Sequence, residues 1–364
     1  MKIDGTPYRS VWVDRDDGWS VRILDQTKLP WAVEILRLAD VAAVAHAIRT
    51  MQVRGAPLIG AVAAYGLALT LRADPSTDAM ERDAAMLAAT RPTAVNLRWA
   101  LDRMLTRLRN TPAAERAAAA YAEAALICDE DAAQCEAIGV HGLGLIEAAA
   151  RVKAGKRVNV LTHCNAGWLA TVDWGTALAP IYKAHDAGMD VHVWVDETRP
   201  RNQGAALTAW ELGRHGVAHT VIADNAGGHL MQRGEVDLVI VGTDRVTRTG
   251  DVANKIGTYL KALAAKDNDV PFWVACPSTT IDWSVADGVA DIPIEQRSEA
   301  EVAAVTGRTE DGRIATVRVA APGSAAANPA FDVTPARLVS GLITERGRCA
   351  ATEDGLRALF PERA

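Results

Sequence analysis

The sequence predicts an α/β protein with a Rossmann-like, doubly wound parallel sheet and a smaller, mostly helical N-terminal domain that carries a short β segment. From residue 158 onward, short apolar runs alternate with helical stretches that are closed by glycine. This alternation is typical of a parallel sheet with helices on both faces. The length of 364 residues exceeds what one hydrophobic core usually supports, so two domains are expected.

The first predicted domain covers residues 1–135. It begins with a β segment around residues 8–23. Helices are then predicted over 38–49, from Pro57, from about Thr93, and along the Ala-rich stretch 112–146. The last of these is read as one long helical region because alanine has the highest helix propensity.

The second predicted domain covers residues 136–364 and carries the sheet. Its strands are predicted at 158–162, 191–195, 220–222, 238–241 and 272–275. The helices between them are expected to end near Gly188, to run over 203–214, to end near Gly234, and to run over 253–266.

Reactive or acidic side chains follow four of these strands directly: Cys164, Asp196, Asp224 and Asp244. Ligands of open α/β sheets bind outside the carboxyl ends of the strands, so this edge is a candidate site. For Asp196 and Asp224, a role as helix cap or scaffold is equally compatible with the sequence.

A phosphate site is predicted at Arg54-Gly55-Ala56-Pro57. Proline suits the first helical position, glycine lets a ligand approach the backbone, and arginine beside free helix N–H groups binds anions. Arg91, which precedes Pro92 and Thr93, is a second arginine placed before a predicted helix start. A surface ion pair is the alternative for either arginine.

Cys164 is predicted to precede a helix, whose N-terminus would lower the pKa of its thiol. The alternative is an inert buried cysteine. His163 is not expected to act as its base, since adjacent strand residues point to opposite faces. Beyond Asp244, Asn254 and Lys255 are predicted at a helix start, where they could bind an anion and hydroxyl groups or serve only as a cap and an ion pair.

Composition excludes several function classes. The formal charge of −6 without a basic block disfavours nucleic-acid and membrane partners. Five cysteines without a CxxC pair disfavour a disulfide framework or zinc site and favour a reducing cytoplasm. The strand at 158–162 lacks the G-x-G-x-x-G that a dinucleotide cofactor requires.

Seven sequence strings together resemble the methylthioribose-1-phosphate isomerase family. They are VRGAP (53–57), TRPT (90–93), THCNAG (162–167), DETRP (196–200), GTDR (242–245), GDVANKIGT (250–258) and NPAFDVTP (328–335). The wider family also contains ribose-1,5-bisphosphate isomerases and regulatory subunits of the eukaryotic translation-initiation exchange factor.

The resemblance implies a cytoplasmic, homodimeric isomerase of methionine salvage that needs no metal or cofactor. Its reaction would convert 5-methylthioribose 1-phosphate, a small phosphorylated sugar, to 5-methylthioribulose 1-phosphate. By the same resemblance, Asp244 is the proton donor and Cys164 stabilises the transition state or acts as a base. The implied substrate-binding residues are Arg54, Gly55, Ala56, Arg91, Gln203, Asn254 and Lys255.

Three positions depart from the family pattern, namely Trp168, Thr243 and Gly227-Gly228, all expected to adjoin the site. They leave the identity of the 5-substituent on the substrate undetermined, so 5-deoxyribose 1-phosphate and ribose 1,5-bisphosphate are alternative substrates. Trp168 is expected either to line the pocket for that substituent or to pack between the domains. A non-catalytic regulatory subunit is a further alternative, disfavoured because Cys164 and Asp244 are both present.

Overall fold

The structure is a computed structural model that describes residues 1–91 and 94–363, and its first part is mostly helical. Five short strands come first: β1 (Lys2–Ile3), β2 (Thr6–Pro7), β3 (Val11–Val13), β4 (Val21–Leu24) and β5 (Ile35–Leu38). Five helices follow: α1 (Val41–Arg49), α2 (Ala56–Ala73), α3 (Thr77–Ala88), α4 (Val95–Arg109) and α5 (Ala113–Val152). The predicted helix start at Pro92-Thr93 lies outside the described residues.

Strands and helices alternate in the next part: β6 (Val158–Thr162), α6 (Ala179–Asp186), β7 (Val191–Asp196), α7 (Ala209–His215), β8 (Ala218–Ile222), α8 (Ala226–Gln232), β9 (Leu238–Val241), β10 (Arg245–Thr247), β11 (Val252–Lys255), α9 (Thr258–Asp267) and β12 (Phe272–Ala275). The remainder contains β13 (Ile281–Asp282), α10 (Gly288–Asp291), α11 (Ala300–Ala303), β14 (Ala304–Arg308), β15 (Ile314–Arg318), β16 (Phe331–Thr334), β17 (Gly341–Thr344), β18 (Gly347–Cys349) and α12 (Glu353–Leu359).

A seven-stranded sheet in the order β18-β17-β12-β9-β6-β7-β8 forms the centre of the molecule. All its pairs are parallel except the β17–β18 hairpin. One apolar core combines α5, α6 and α7 with the sheet, and another combines it with α8, α9 and α12. Helices therefore cover both faces, and the predicted fold class is confirmed.

Helix α2 is the core helix of the N-terminal part. It is long and apolar enough to cross a membrane, but 83% of it is buried inside the fold. It packs against α1, α3, α4 and α5. The proposed boundary between two domains remains a prediction, and residue 135 lies inside the 40-residue helix α5.

Several local predictions were wrong. The helix predicted from Ala253 begins only at Thr258, because residues 252–255 form β11, which pairs with β10 and β16 in a second sheet. The helix predicted after Cys164 is replaced by a 3₁₀ turn at Trp168–Ala170, and α6 begins only at Ala179. Helix α3 and strands β17 and β18 were not predicted at all.

Candidate active site

A cleft of about 760 Å³, measured with its open mouth, lies between the N-terminus of α2 and the carboxyl edge of the sheet. Cys164 follows β6 and Asp244 follows β9, two neighbouring strands whose connections leave in opposite directions. That reversal is where open α/β sheets bind ligands. Eight of the nine predicted site residues line the cleft: Arg54, Gly55, Ala56, Arg91, Cys164, Gln203, Asp244 and Lys255. Asn254 lines an adjoining inner recess together with Cys164 and Asp244.

The start of α2 forms the side of the cleft at which the sequence predicts a phosphate site. Gly55 has a φ of +97°, and a Cβ there would lie 2.3 Å from the Ala170 carbonyl oxygen. Only glycine lets the chain turn into the helix at this point. Arg54 donates from Nη2 to the Asn165 carbonyl oxygen at 2.8 Å and from Nη1 to the Asn165 side chain. Its guanidinium is thus fixed beside the free N–H groups of an 18-residue helix.

Glu211 holds the loop that anchors Arg54. Its buried carboxylate accepts hydrogen bonds from the Asn165 amide at 3.0 Å, the main-chain N–H groups of Trp168 and Leu169 at 2.9 and 3.0 Å, and the Tyr182 hydroxyl at 2.9 Å. Burial raises the pKa of Glu211 to about 7 against the effect of these donors. The sequence analysis did not identify Glu211. The feature that could have identified it is a glutamate on the buried face of a short helix.

Cys164 has a left-handed backbone, with a φ of +67°. Two threonines hold it in place: its N–H donates to Thr198 Oγ1 at 2.8 Å, and its carbonyl accepts from Thr208 Oγ1 at 2.7 Å. Burial raises the pKa of the thiol, against the opposing charges of Arg54 and Lys255. The lowered pKa predicted from a helix N-terminus is therefore wrong, and the raised pKa favours the neutral thiol over the thiolate.

Asp244 faces the cleft from the loop after β9. Gly242 allows this loop to approach the one after Cys164, because a Cβ there would lie 2.5 Å from Ala166 Cβ. Burial raises the pKa of the Asp244 carboxyl above its ordinary value, although the charge of Lys255 acts in the opposite direction. Such a carboxyl can hold a proton for transfer.

Asn254 and Lys255 lie on strand β11, not on a helix. The Lys255 ammonium donates to the Ala330 carbonyl oxygen at 2.8 Å and lies 4.5 Å from the centre of the Phe331 ring. Burial lowers the pKa of Lys255. Asn254 donates from Nδ2 to Thr258 Oγ1 at 3.0 Å, which fixes its side-chain amide at the inner recess.

Arg91 and Gln203 bring polar atoms without partners to the cleft. Arg91 donates from Nη2 to Glu295 Oε2 at 3.0 Å, while its buried Nε has no hydrogen-bond partner among the described residues. The buried Oε1 of Gln203 is likewise unpartnered within residues 1–91 and 94–363. Buried polar atoms without partners are costly, so both atoms fit a bound polar ligand.

Asp224 has a scaffolding role. Its two carboxylate oxygens accept the main-chain N–H groups of Thr198 and Arg199, each at 2.7 Å. Because Thr198 in turn accepts a hydrogen bond from the Cys164 N–H, Asp224 indirectly supports the conformation of the loop at Cys164.

Asp196 is also a scaffold, in a cluster behind the cleft. Its Oδ2 lies 2.8 Å from His163 Nδ1 and 3.3 Å from the Lys261 ammonium. Ligand atoms of His163, Asp196 and Asp224 lie within 4.8 Å of one another, a spacing that could hold a metal ion. The Lys261 ammonium already provides the positive charge at this place. As predicted, His163 is turned to other partners and is not positioned as a base for Cys164.

The residues that depart from the family pattern lie mostly outside the cleft. Trp168 is 1% exposed and packs in an apolar cluster with Leu29 and Trp210, so the packing alternative holds for it. Gly227 packs against Leu161 and the Lys261 side chain. Of the three positions, Thr243 alone lines the inner recess, where its hydroxyl bonds main-chain carbonyl groups.

Comparisons with known proteins show which chains this one is similar to. A family model described as the initiation factor 2 subunit family matches residues 52–351. The chain is 73% identical over 364 residues to the methylthioribose-1-phosphate isomerase of Acidiphilium cryptum, covering 100% of this chain and 99% of the relative. It is 69% identical over 363 residues to the enzyme of that name from Gluconobacter oxydans, with the same coverage.

Two solved structures are similar over nearly the whole chain. The 5-methylthioribose 1-phosphate isomerase from Pyrococcus horikoshii OT3 has a TM-score of 0.84 and 39% identity, covering 98% of this chain and 97% of that one. The translation initiation factor eIF-2B subunit delta from A. fulgidus has a TM-score of 0.79 and 37% identity, covering 98% of this chain and 100% of that one.

Proposed function

The chain belongs to the initiation factor 2 subunit family and is an isomerase, and from this premise we propose that it converts 5-methylthioribose 1-phosphate to 5-methylthioribulose 1-phosphate. The observation that carries the proposal is the cleft itself. A carboxyl with a raised pKa, Asp244, and a neutral thiol, Cys164, face the same space as the anion site at Arg54.

The substrate poses a particular chemical problem. Its phosphate is attached to the anomeric oxygen, so the ring cannot open spontaneously to an aldehyde. The enzyme has to break the bond between C1 and the ring oxygen while the phosphate stays in place. The Arg54 guanidinium and the N–H groups at the start of α2 bind that phosphate and orient C1 towards the sheet.

Asp244 acts as the general acid in the first step. Its proton passes to the ring oxygen, the C1–oxygen bond breaks with its electron pair going to that oxygen, and a C4 hydroxyl forms. Positive charge at C1 is shared with the anomeric oxygen. The raised pKa of Asp244 favours its acid form, which is the form that can give this proton.

Hydrogen then moves from C2 to C1. A hydride shift delivers it directly, while the C2 hydroxyl gives its proton to the Asp244 carboxylate and becomes the ketone. Cys164 lines this path as a neutral thiol and supports the developing charge by its polarity and shape. The other route, in which a Cys164 thiolate removes the C2 proton, is disfavoured because burial raises the pKa of that thiol.

Reaction in D₂O distinguishes the two routes. A direct shift places no deuterium at C1 of the product beyond background in a single turnover. Proton removal by Cys164 passes through an exchangeable group and places deuterium there. Substantial label at C1, under conditions that exclude later exchange of the product, would contradict the hydride route.

The decisive experiment is NMR analysis of the products after incubation with three substrates and no added cofactor: 5-methylthioribose 1-phosphate, 5-deoxyribose 1-phosphate and ribose 1,5-bisphosphate. Fastest turnover of the methylthio compound is expected. Preference for another substrate would transfer the assignment to it, and absence of all turnover would favour the non-catalytic regulatory function.

Three further features belong to the proposal: a place in methionine salvage, a cytoplasmic location and a homodimeric assembly. Each rests on the relationship to the named isomerases and on the composition of the chain. The prediction that neither nucleic acid nor a membrane is a partner rests on the acidic balance of charge.

A further inference from the structure

A second cavity opens from the catalytic cleft, and we call it the side cavity. It is defined by Gln26, Leu29, Met51, Asn202, Gln203 and Val305 and occupies about 1140 Å³ with its open mouth. Met51, Arg54 and Gln203 line both spaces, so the two are continuous. The hairpin β14–β15 forms its outer wall.

Three amide oxygens in the side cavity are buried without a hydrogen-bond partner in the described part of the chain: Gln26 Oε1, Asn202 Oδ1 and Gln203 Oε1. Gln26 and Gln203 are only 5% and 6% exposed. The orientation of the Gln26 amide is fixed, because its Nε2 donates to the Leu169 carbonyl oxygen at 2.7 Å. A buried acceptor left unpaired is destabilising, so this group of oxygens points to a ligand that donates hydrogen bonds.

The remaining wall favours an uncharged group over a second phosphate as that ligand. Leu29, Met51 and Val305 are apolar. Arg201 and Glu301 also line the cavity, where the Arg201 guanidinium is paired with the Glu301 carboxylate at 2.8 Å, and Arg297 is paired with the same carboxylate. Acceptor oxygens beside an apolar surface fit uncharged hydroxyl groups on a molecule with an apolar end.

We propose that the side cavity binds the far half of the open-chain product, with its hydroxyl groups on the amide oxygens of Gln26, Asn202 and Gln203 and its 5-methylthio group against Leu29 and Met51. This inference rests on the proposed function. Breaking the C1–oxygen bond creates the C4 hydroxyl, a donor that the ring form lacks. The straightened chain is also longer than the ring, while its phosphate remains at Arg54.

Asn202 offers a clean test, because its φ of +57° is a conformation that glycine and aspartate also adopt readily. Asn202→Gly removes the acceptor without adding backbone strain. Asn202→Asp keeps an acceptor. The matched control is Thr306→Val, which deletes a hydroxyl on the cavity rim that is already paired with Thr316 at 2.7 Å.

Two stable ligands report on the two states of the substrate. One is the ring-locked phosphonate, in which a methylene group replaces the anomeric oxygen. The other is the 5-methylthiopentitol 1-phosphate, an open chain without a carbonyl group. Calorimetric titration of wild type and Asn202→Gly should show the pentitol bound about three- to tenfold more weakly by the variant, as expected for one lost hydrogen bond. The ring-locked ligand should bind both proteins equally.

Asn202→Asp and Thr306→Val should bind the pentitol within about twofold of wild type, well inside the effect of one hydrogen bond. The assignment is overturned if Asn202→Gly leaves the affinity for the pentitol unchanged, or weakens both ligands equally. Turnover of 5-methylthioribose 1-phosphate by the wild type is measured in parallel. Normal turnover with an unchanged pentitol affinity refutes the side cavity alone, whereas absence of turnover refutes the proposed function.

Discussion

Asp244→Asn should separate catalysis from folding. Asparagine keeps the shape of the side chain but cannot deliver a proton to the ring oxygen. A general acid typically contributes about 10²–10⁴ to the rate, so turnover should fall by that factor. This corresponds to about 3–5 kcal/mol in activation free energy. Substrate affinity should change little, since the proposed phosphate site is elsewhere, at Arg54.

The same variant should be more stable than wild type at neutral and alkaline pH. Burial raises the folded-state pKa of Asp244 above its unfolded value. Its favourable contribution is therefore present below the unfolded pKa, about 4, and is lost as the pH rises through the folded pKa. Replacing the carboxyl with a neutral amide removes this pH-dependent loss. The stability difference should vanish in acid.

Turnover is measured by ³¹P NMR, and the free energy of unfolding by urea titration at pH 4 and pH 8. Asp251→Asn is the matched control, because that carboxylate accepts the main-chain N–H groups of Gly288 and Ala336 away from the cleft. The control should lose stability and keep its turnover. Near-normal turnover of Asp244→Asn would remove the residue from the mechanism, and lower stability at pH 8 would refute the assigned direction of its pKa.

Three further changes test other parts of the site. Gly55→Ala should lower the free energy of unfolding by about 2 kcal/mol or more, because of its positive φ and the clash with the Ala170 carbonyl; a normal urea midpoint would contradict this. Trp168→Ala should cost about 3–5 kcal/mol of stability while the relative rates on methylthio- and deoxyribose phosphates stay unchanged; altered ratios would place the ring at the substrate after all. Arg54→Lys keeps the charge but loses the fork, so inorganic phosphate should bind about tenfold more weakly and raise the melting temperature less; equal protection would exclude Arg54 from the phosphate site.

Five of the seven strands of the central sheet could be predicted from sequence, because each is a short, largely apolar run between helical stretches. Strand β11 could not be predicted from the sequence. Its sequence, Val252–Lys255, mixes apolar and polar residues before a helical pattern, and it becomes a strand only by pairing with β10 and β16. The β16 partner lies nearly 80 residues further along the chain, and local patterns carry no information about such pairings.

The sequence predicted which residues face the cleft, but not the hydrogen bonds and ion pairs that hold them in place. Motifs identified the groups that face the cleft, since those depend on residue type at a strand end or helix start. The partners of these groups were not foreseen. Glu295 pairs with Arg91 across 204 positions of sequence, and Glu211 reaches the loop after Cys164 from a helix that looked unremarkable. Burial also reversed the expected direction for the Cys164 pKa, because a left-handed turn replaced the expected helix start.

The attachment of Arg54 to Asn165 has a consequence for how the protein loses activity. In the proposed function, anion binding comes from the helical part of the chain and proton transfer from the sheet, and the hydrogen bonds between Arg54 and Asn165 help to hold the two parts together. Enzymatic activity therefore reports whether the helical part and the sheet remain docked. On heating, inactivation should precede the loss of helical circular dichroism, because a small separation disassembles the site while each part keeps its secondary structure. A bound sugar phosphate would contact both the helical part and the sheet, and would raise the temperature at which activity is lost.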